Sequence, residues 1–412
     1  LTGPSSGLKS APMQQKTKAA TSAPDSLTDS LSDFALQKLA VLEAKDQRRT
    51  LVDTARSSNM ALSVEGSAPL ISFTDNDYLG LSTHPDVIEA AKAAADQFGA
   101  GAGASRLVTG NHPLYRQLEQ KIAALKGAED AAVFGSGYLA NVGIIPTLVG
   151  KEDLIIADEL VHTCIHAGIQ LSRATVKFFR HNDVRHAAEL LAKHRAAHGR
   201  CLMVVDGVYS MDGDIAPLKE LGLLAQSHDT WLLADDAHAL GTIGGGRGSM
   251  HATGAESLVP LQMGTLSKAV GSYGGYLAAS KPVIDLMKTR ARSFIYTTGL
   301  PPAAVGASLK ALELIENDPE RVARPVKLAR TFSAALGLPA PDTPIVPLVI
   351  GTEADALGAS DALASEGFKV IAFRPPTVPE GTSRLRFSFS ASHRDADVDR
   401  LIVVCKKLGL GD

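Results

Sequence analysis

From about residue 130 the chain alternates two kinds of segment. Short apolar runs recur at Ala131–Phe134, Leu154–Ala157, Thr175–Phe179, Cys201–Val205, Trp231–Ala234 and Leu261–Met263. Helix-length stretches such as Val184–Ala197 and Leu218–Gln226 lie between most of them. Apolar runs without polar alternation suit strands covered on both faces, and strands alternating with helices predict a parallel, doubly covered α/β sheet. Upstream, Phe34, Leu36, Leu39, Leu42 and Leu51 stand at helical spacing, which predicts a helix from Phe34 to about Thr54. A short strand pair is expected over Ala61–Phe73, a turn at Asp75–Gly80 and a helix at Asp86–Phe98. Beyond Pro301-Pro302 the pattern predicts a helix at Ala303–Glu316 and strands at Ile345–Ile350, Lys369–Ala372 and Arg384–Ser390. No solenoid-type repeat interrupts this order. The expected organisation is a tail over residues 1–33, a helix and short strands over 34–72, a large domain over 73–318 and a smaller α+β domain over 319–412.

Composition changes this picture mainly at the amino end. Leu1 to Asp33 is rich in Ser, Thr, Ala, Pro and Lys and poor in large apolar groups, which predicts disorder. Its first residues, Leu1 to Gly7, have the look of an expression remnant, with Met13 a candidate native start. A transit peptide is the rival reading, but arginine and an amphipathic helix are missing. The whole chain of 412 residues is 45% hydrophobic and 21% charged, with a formal net charge of −3. Neither a nucleic-acid face nor a membrane-surface patch is expected from that balance. No apolar run reaches the ~18–20 residues of a membrane span. Three well-separated cysteines, Cys164, Cys201 and Cys405, argue against a disulfide framework and for a reducing, cytoplasmic setting.

The candidate chemistry gathers where the predicted strands end. Those ends carry Gly135-Ser136-Gly137-Tyr138, then Asp158 and His162, then Asp206 and Ser210, then Asp235 and His238, then Thr265, Ser267 and Lys268. In open α/β sheets ligands bind outside the carboxyl ends of the strands, so these groups converge on one crevice. Lys268, Asp235 and His238 together suit pyridoxal phosphate: an amine for a Schiff base, an acid for the pyridine nitrogen and a partner for the phenolic oxygen. Alone, Lys268 could equally be a solvated surface lysine, and Asp235 a helix N-cap. Ser136, Gly137 and Tyr138 form a strand-to-helix turn whose amides can bind phosphate, with Thr265 and Ser267 adding hydroxyls. His162 suits a ring stacked on the cofactor. His162 and His166 stand at zinc spacing, but no third ligand is evident and no metal is expected. Gly99–Ala104 matches a dinucleotide fingerprint formally; a helix precedes it, so it reads as a flexible substrate-side loop leading to Ser105-Arg106. Gly244–Gly248 reads as a turn. Arg374, Arg384 and Arg386 offer guanidinium forks for a substrate carboxylate, and the last two share one strand face.

These residues, in this order, resemble the α-oxoamine synthase family of fold-type I pyridoxal-phosphate enzymes from about Phe34 onward. The stretches that carry the resemblance are Asn76-Asp77-Tyr78-Leu79-Gly80-Leu81, Gly103 to Val108, Ser210-Met211-Asp212-Gly213-Asp214, Thr265 to Lys268 and Arg374-Pro375-Pro376-Thr377-Val378-Pro379. The resemblance implies that Lys268 forms the Schiff base, Asp235 meets the pyridine nitrogen, His238 and Ser210 meet the phenolic oxygen, and His162 stacks on the ring. It makes Asn76, Arg374 and Arg386 substrate-side residues, and loosely Arg48, with Arg49 competing. It implies a homodimer in which Thr297 and Thr298 are lent to the neighbour's phosphate site. The implied reaction is a decarboxylative condensation of an amino acid, alanine favoured, with an acyl-CoA or acyl carrier protein, pimeloyl being the favoured acyl group. Sister reactions with glycine or serine, and more remotely an aminotransferase, share the same core residues. Two departures, Ala239 where this branch commonly has glycine and a short 244–248 loop, bear on the acyl donor.

Overall fold

The computed structural model describes residues 27–411 apart from 46, 65 and 67. They divide into two compact units at Asp53. The first unit holds helix α1 (Leu27–Glu43), with Asp29 in its first turn, where a carboxylate complements the helix dipole. Helix therefore begins before Phe34, and the last part of the expected tail is helical. The rest of that tail, with the expression remnant and Met13, lies outside the described residues. The helix also ends well short of Thr54, because nothing between Leu42 and Leu51 continues its apolar spacing.

The second unit contains three sheets. Strands β1 (Thr54–Arg56), β2 (Ala61–Val64) and β3 (Leu70–Ser72) form an antiparallel meander. Helices α2 (Pro85–Phe98) and α3 (Leu114–Lys126) follow. The central sheet takes β4 (Asp130–Phe134), β5 (Leu154–Asp158), β6 (Thr175–Phe179), β7 (Cys201–Asp206), β8 (Trp231–Asp235), β9 (Leu261–Thr265) and β10 (Gly275–Ala279) in the order β4-β10-β9-β8-β7-β5-β6. All pairings are parallel except those of β10, which runs antiparallel between β4 and β9. β10 is the strand the apolar pattern does not announce: Gly-Tyr-Leu-Ala-Ala lacks the β-branched residues that mark its neighbours. Leu154, Ile156, Met203 and Val205 enter one core cluster, while Ile155, Ala157, Leu202 and Val204 enter another. The sheet is thus buried on both faces, as its unbroken apolar runs require.

The third sheet joins β11 (Ile345–Gly351), β13 (Ile371–Phe373) and β14 (Ser383–Ser388), all antiparallel. The single strand expected at Lys369–Ala372 is two: β12 (Phe368–Lys369) pairs in parallel with β3, and the chain then turns through buried Val370 into β13. Other expected elements are present within a few residues, including the helices Val184–His194, Leu218–Ser227 and Pro302–Asn317. Among the described residues no helix is long and apolar enough to cross a membrane. The three cysteines are free and buried.

Candidate active site

Register brings the key acids together. Asp206 and Asp235 are the last residues of β7 and β8 and are paired partners. Both are buried and both line a cavity at the carboxyl end of the sheet. Ser136, Gly137, Tyr138, His162, His238, Thr265, Ser267 and Lys268 line the same cavity. Nine of the residues expected at a cofactor site therefore meet in one place, although they come from sequence positions spread over more than a hundred residues.

The strand-to-helix turn is built for an anion. Ser136 has extended backbone before helix α4 (Gly137–Leu148), and its Oγ accepts the Leu139 N–H at 3.1 Å. The amides of Gly137 and Tyr138 have no acceptor within the helix, and they face the cavity end of the dipole. A Cβ on Gly137 would touch Thr265 and Met263 at 3.4 Å, so glycine leaves that approach open. Thr265 Oγ1 is already engaged: it donates to Gly274 O at 2.8 Å and lies 2.8 Å from Ser267 Oγ.

Lys268 is half-buried in the cavity wall, and its Nζ lies 2.6 Å from His238 Nε2. No carboxylate among the described residues comes within ion-pair range of it. Burial pulls its pKa down to about 8; Asp235 and Asp206 resist, and the Arg386 charge adds to the fall. Burial, then the positive charges of Lys268 and Arg386, hold His238 well below the ordinary histidine range. His238 is therefore a neutral ring that accepts from Lys268 at Nε2 and carries its proton on Nδ1. That Nδ1 lies 2.7 Å from Tyr78 Oη, which also accepts from Arg386 Nη2 at 2.9 Å and is 3.3 Å from Asn76 Oδ1. Arg386 Nη2 donates again to Asn76 Oδ1 at 3.0 Å. Its Nε is buried without a partner, a donor aimed at no acceptor of the protein. An unbroken hydrogen-bonded line thus runs Lys268–His238–Tyr78–Arg386.

Asp235 is held from two sides. Its Oδ1 accepts the Ala237 N–H at 2.9 Å and its Oδ2 accepts Asn141 Nδ2 at 2.8 Å. Asp206 has its carboxyl pushed well up by burial and by the neighbouring Asp235 charge. The His162 ring is kept below its usual range by burial.

Several expected residues lie elsewhere. Asp158 does not line the cavity; its Oδ1 lies 3.1 Å from His181 Nδ1. Ser210 does not line the cavity; it sits in a tight loop closed by the Gly213 N–H donating to Tyr209 O at 2.8 Å. Thr297 and Thr298 line a separate small pocket with Arg106. Arg106, which follows the Gly99–Ala104 loop, has its guanidinium buried against Glu119 at 2.6 Å, with the Tyr115 ring 3.9 Å away, and so anchors structure. Arg384 is paired with Asp212 and Thr382, leaving Arg386 as the strand guanidinium with donor capacity to spare. Ala239 is fully buried in the core and does not line the cavity. Arg48, in the first unit, pairs with Glu43 at 2.9 Å. Arg374 follows β13.

Sequence reasoning passed over Asp206, Cys164, Asn141 and Tyr78 as working parts. Asp206 was visible as a strand end; Tyr78 and Asn141 lie on segments whose contact with the site depends on tertiary packing. The half-buried lysine without a counter-ion, the buried acid and the free helix amides fit pyridoxal phosphate.

Residues 68–404 match the family described as aminotransferase class I and II. The 8-amino-7-oxononanoate synthase of Beijerinckia indica subsp. indica is 56% identical over 380 residues, covering 92% of this chain and 98% of its own. That of Methylocella silvestris is 61% identical over 338 residues, covering 82% and 96%. Among solved structures, a Sphingomonas wittichii serine palmitoyltransferase superposes with a TM-score of 0.86 at 30% identity, covering 94% of this chain and 100% of its own. A Francisella tularensis 8-amino-7-oxononanoate synthase gives 0.70 at 26% identity, covering 82% and 98%.

Proposed function

Because the chain belongs to the class I and II aminotransferase family, and within it to the α-oxoamine synthases, we propose that it is a pyridoxal-phosphate-dependent acyltransferase of biotin synthesis. It condenses L-alanine with a pimeloyl thioester, carried by CoA or by acyl carrier protein. The products are 8-amino-7-oxononanoate, CO2 and the free thiol. The observation that carries this reading is the hydrogen-bonded line from Lys268 through His238 and Tyr78 to Arg386 beside Asp235.

When bound, pyridoxal phosphate supplies the electron sink that stabilises negative charge at the α-carbon of an amino acid. The protein's own groups do the rest. Gly137 and Tyr138 amides, with Ser136, Thr265 and Ser267 around them, take the phosphate. Asp235, fixed by Asn141 and the Ala237 N–H, faces the pyridine nitrogen and keeps its proton in place. Lys268, with much of its amine neutral near pH 8, would hold the cofactor and is the base placed to take a proton from the substrate α-carbon. His238 Nε2 steadies that amine, and the His162 ring, which lines the same cavity, would pack on the cofactor. Arg386 offers its unpartnered Nε to the alanine carboxylate, with Asn76 holding the guanidinium plane. Arg374 is a further substrate-side candidate.

The segment 73–318 carries the cofactor groups, and 319–412 brings Arg374 and Arg386. We place the working form as a cytoplasmic homodimer, with Ser210, Thr297 and Thr298 completing the cofactor's surroundings. Exposed Leu107, Val108 and Tyr296 near Thr297 and Thr298 support a partner surface there. A serine-using sister enzyme is the second reading, supported by the serine palmitoyltransferase likeness; identities of 56% and 61% against 30% favour the first. The test is product identification by mass spectrometry with alanine, serine and glycine against a panel of acyl-CoA and acyl carrier substrates. Alanine with the pimeloyl thioester should give the highest kcat/KM; preference for serine with a long acyl chain would overturn the assignment.

A further inference from the structure

Along the cavity wall a second set of polar contacts links His162 and Asp235 through Cys164, which also lines the cavity, and Asn141, which does not. Asn141, fully buried on α4, donates one amide hydrogen to Asp235 Oδ2 at 2.8 Å. Its Nδ2 is also 3.1 Å from Cys164 Sγ. Cys164 lies in the first turn of the next helix, α5 (Thr163–Ser172), and its sulfur is 2.8 Å from His162 Nδ1. The Cys164 backbone N–H points at the same nitrogen, 3.2 Å away. The two helices meet closely enough for this because Gly168 has no side chain: a Cβ there would sit 2.7 Å from Asn141 O.

Counting hydrogens gives the network a direction. Burial and the Asp235 charge push the Cys164 thiol up to about 12, so it stays an S–H. The Asn141 amide gives one hydrogen to Asp235 and aims the other at sulfur. The thiol proton is then left for His162 Nδ1. That nitrogen faces two donors, S–H and N–H, so it carries no proton, and the ring's proton is on Nε2. Charging the ring would set an N–H against both donors.

We propose that Asn141 and Cys164 are positioning residues: a two-residue bridge that fixes His162 as the Nε2–H tautomer and ties its orientation to that of Asp235. The inference rests on the pyridoxal-phosphate reading of the cavity. It means that the acid at the pyridine nitrogen and the ring on the cofactor's face are set by one network rather than independently. The charged or titratable groups that face His162 are Asp235 on β8, Asp206 on β7, Lys268 after β9, and Cys164 and His166 on α5; the His162 backbone N–H also donates to Asp206 Oδ1 at 3.3 Å.

The test uses the full chain labelled with 15N-histidine, without cofactor, His162 being assigned by its loss in His162→Gln. In the parent protein the His162 Nδ1 signal should be that of an unprotonated nitrogen at pH 7, with a titration midpoint below the ordinary histidine value. Cys164→Ser, which keeps an O–H donor, should preserve that signature. Cys164→Ala should mix the tautomers and raise the midpoint by roughly half a pH unit or more. Asn141→Ala, a second route to breaking the bridge, should move His162 in the same direction although it does not touch the ring. With pyridoxal phosphate added, Cys164→Ala should also shift the pH midpoint of the bound cofactor's visible band, which a purely local packing role would leave in place. Unchanged His162 tautomer and midpoint in Cys164→Ala, or an Nδ1–H ring in the parent protein, would overturn the proposal. Failure of the parent protein to bind pyridoxal phosphate would instead overturn the reading of the cavity, and the cofactor-free measurement separates the two.

Discussion

At the scale of single residues, the site works by withholding charge compensation. A desolvated, half-buried lysine without a carboxylate in ion-pair range loses part of its proton near neutral pH, and a pKa of about 8 makes Lys268 such an amine. The rate of pyridoxal phosphate capture by the cofactor-free protein should therefore rise with pH through a midpoint near 8, read by stopped-flow absorbance. A midpoint near 10 would mean that Lys268 is solvated. Arg386 makes a second expectation. Its fork is pre-aimed by Tyr78 and Asn76, and lysine cannot reproduce that geometry. Arg386→Lys should raise KM for alanine about 10–100-fold, the loss of a charged hydrogen bond, with a smaller change in cofactor affinity. Equal loss of both would place Arg386 in the cofactor site instead. Of these residues Lys268, Asp235 and His238 were legible because each leaves an apolar strand; Tyr78 was not, since its reach to His238 across 160 positions is a product of packing.

At the scale of elements, the ends of the strands are tied down by ionic contacts away from the cavity, one part-buried and one fully buried. His181, after β6, stands between Asp158 at 3.1 Å and Asp214 at 2.7 Å. Burial alone would lower its pKa, but the two carboxylates push it up to about 10. The folded value exceeds the unfolded one of about 6.5, so this stabilisation is complete below pH 6.5 and is lost as pH rises through 10. His181→Gln should cost about 1–2 kcal/mol at pH 6 by denaturant unfolding, the pair with part-exposed Asp214 being screened by solvent, with the gap narrowing above pH 10. A constant gap across pH would show that charge is not the cause. Lys126 on α3 makes a fully buried pair with Asp236 at 2.7 Å and also donates to Arg247 O. Lys126→Met would strand the Asp236 carboxylate and should cost about 3–5 kcal/mol. Neither contact is visible in the sequence, because charge alone does not show which carboxylates are buried. The strands were legible from their apolar runs, whereas β10, with small residues and glycine, was not.

At the scale of the whole molecule, the 54–412 unit joins its central and third sheets through hydrogen bonds: the ends of the central sheet line the cavity, and Arg386 on β14 of the third reaches it through Tyr78 and His238. That convergence was foreseeable from strand ends, but the pairing of β12 with the first sheet and the burial of Arg106 were not. Both depend on long-range contacts that leave no periodic trace. The central claim is that one amine, Lys268, bonds the cofactor facing Asp235. Borohydride reduction of the protein loaded with pyridoxal phosphate, followed by peptide mass spectrometry, measures this directly. The expected result is a single phosphopyridoxyl group on Lys268 and none in Lys268→Ala. A label on another lysine, or an unlabelled parent protein, would contradict it.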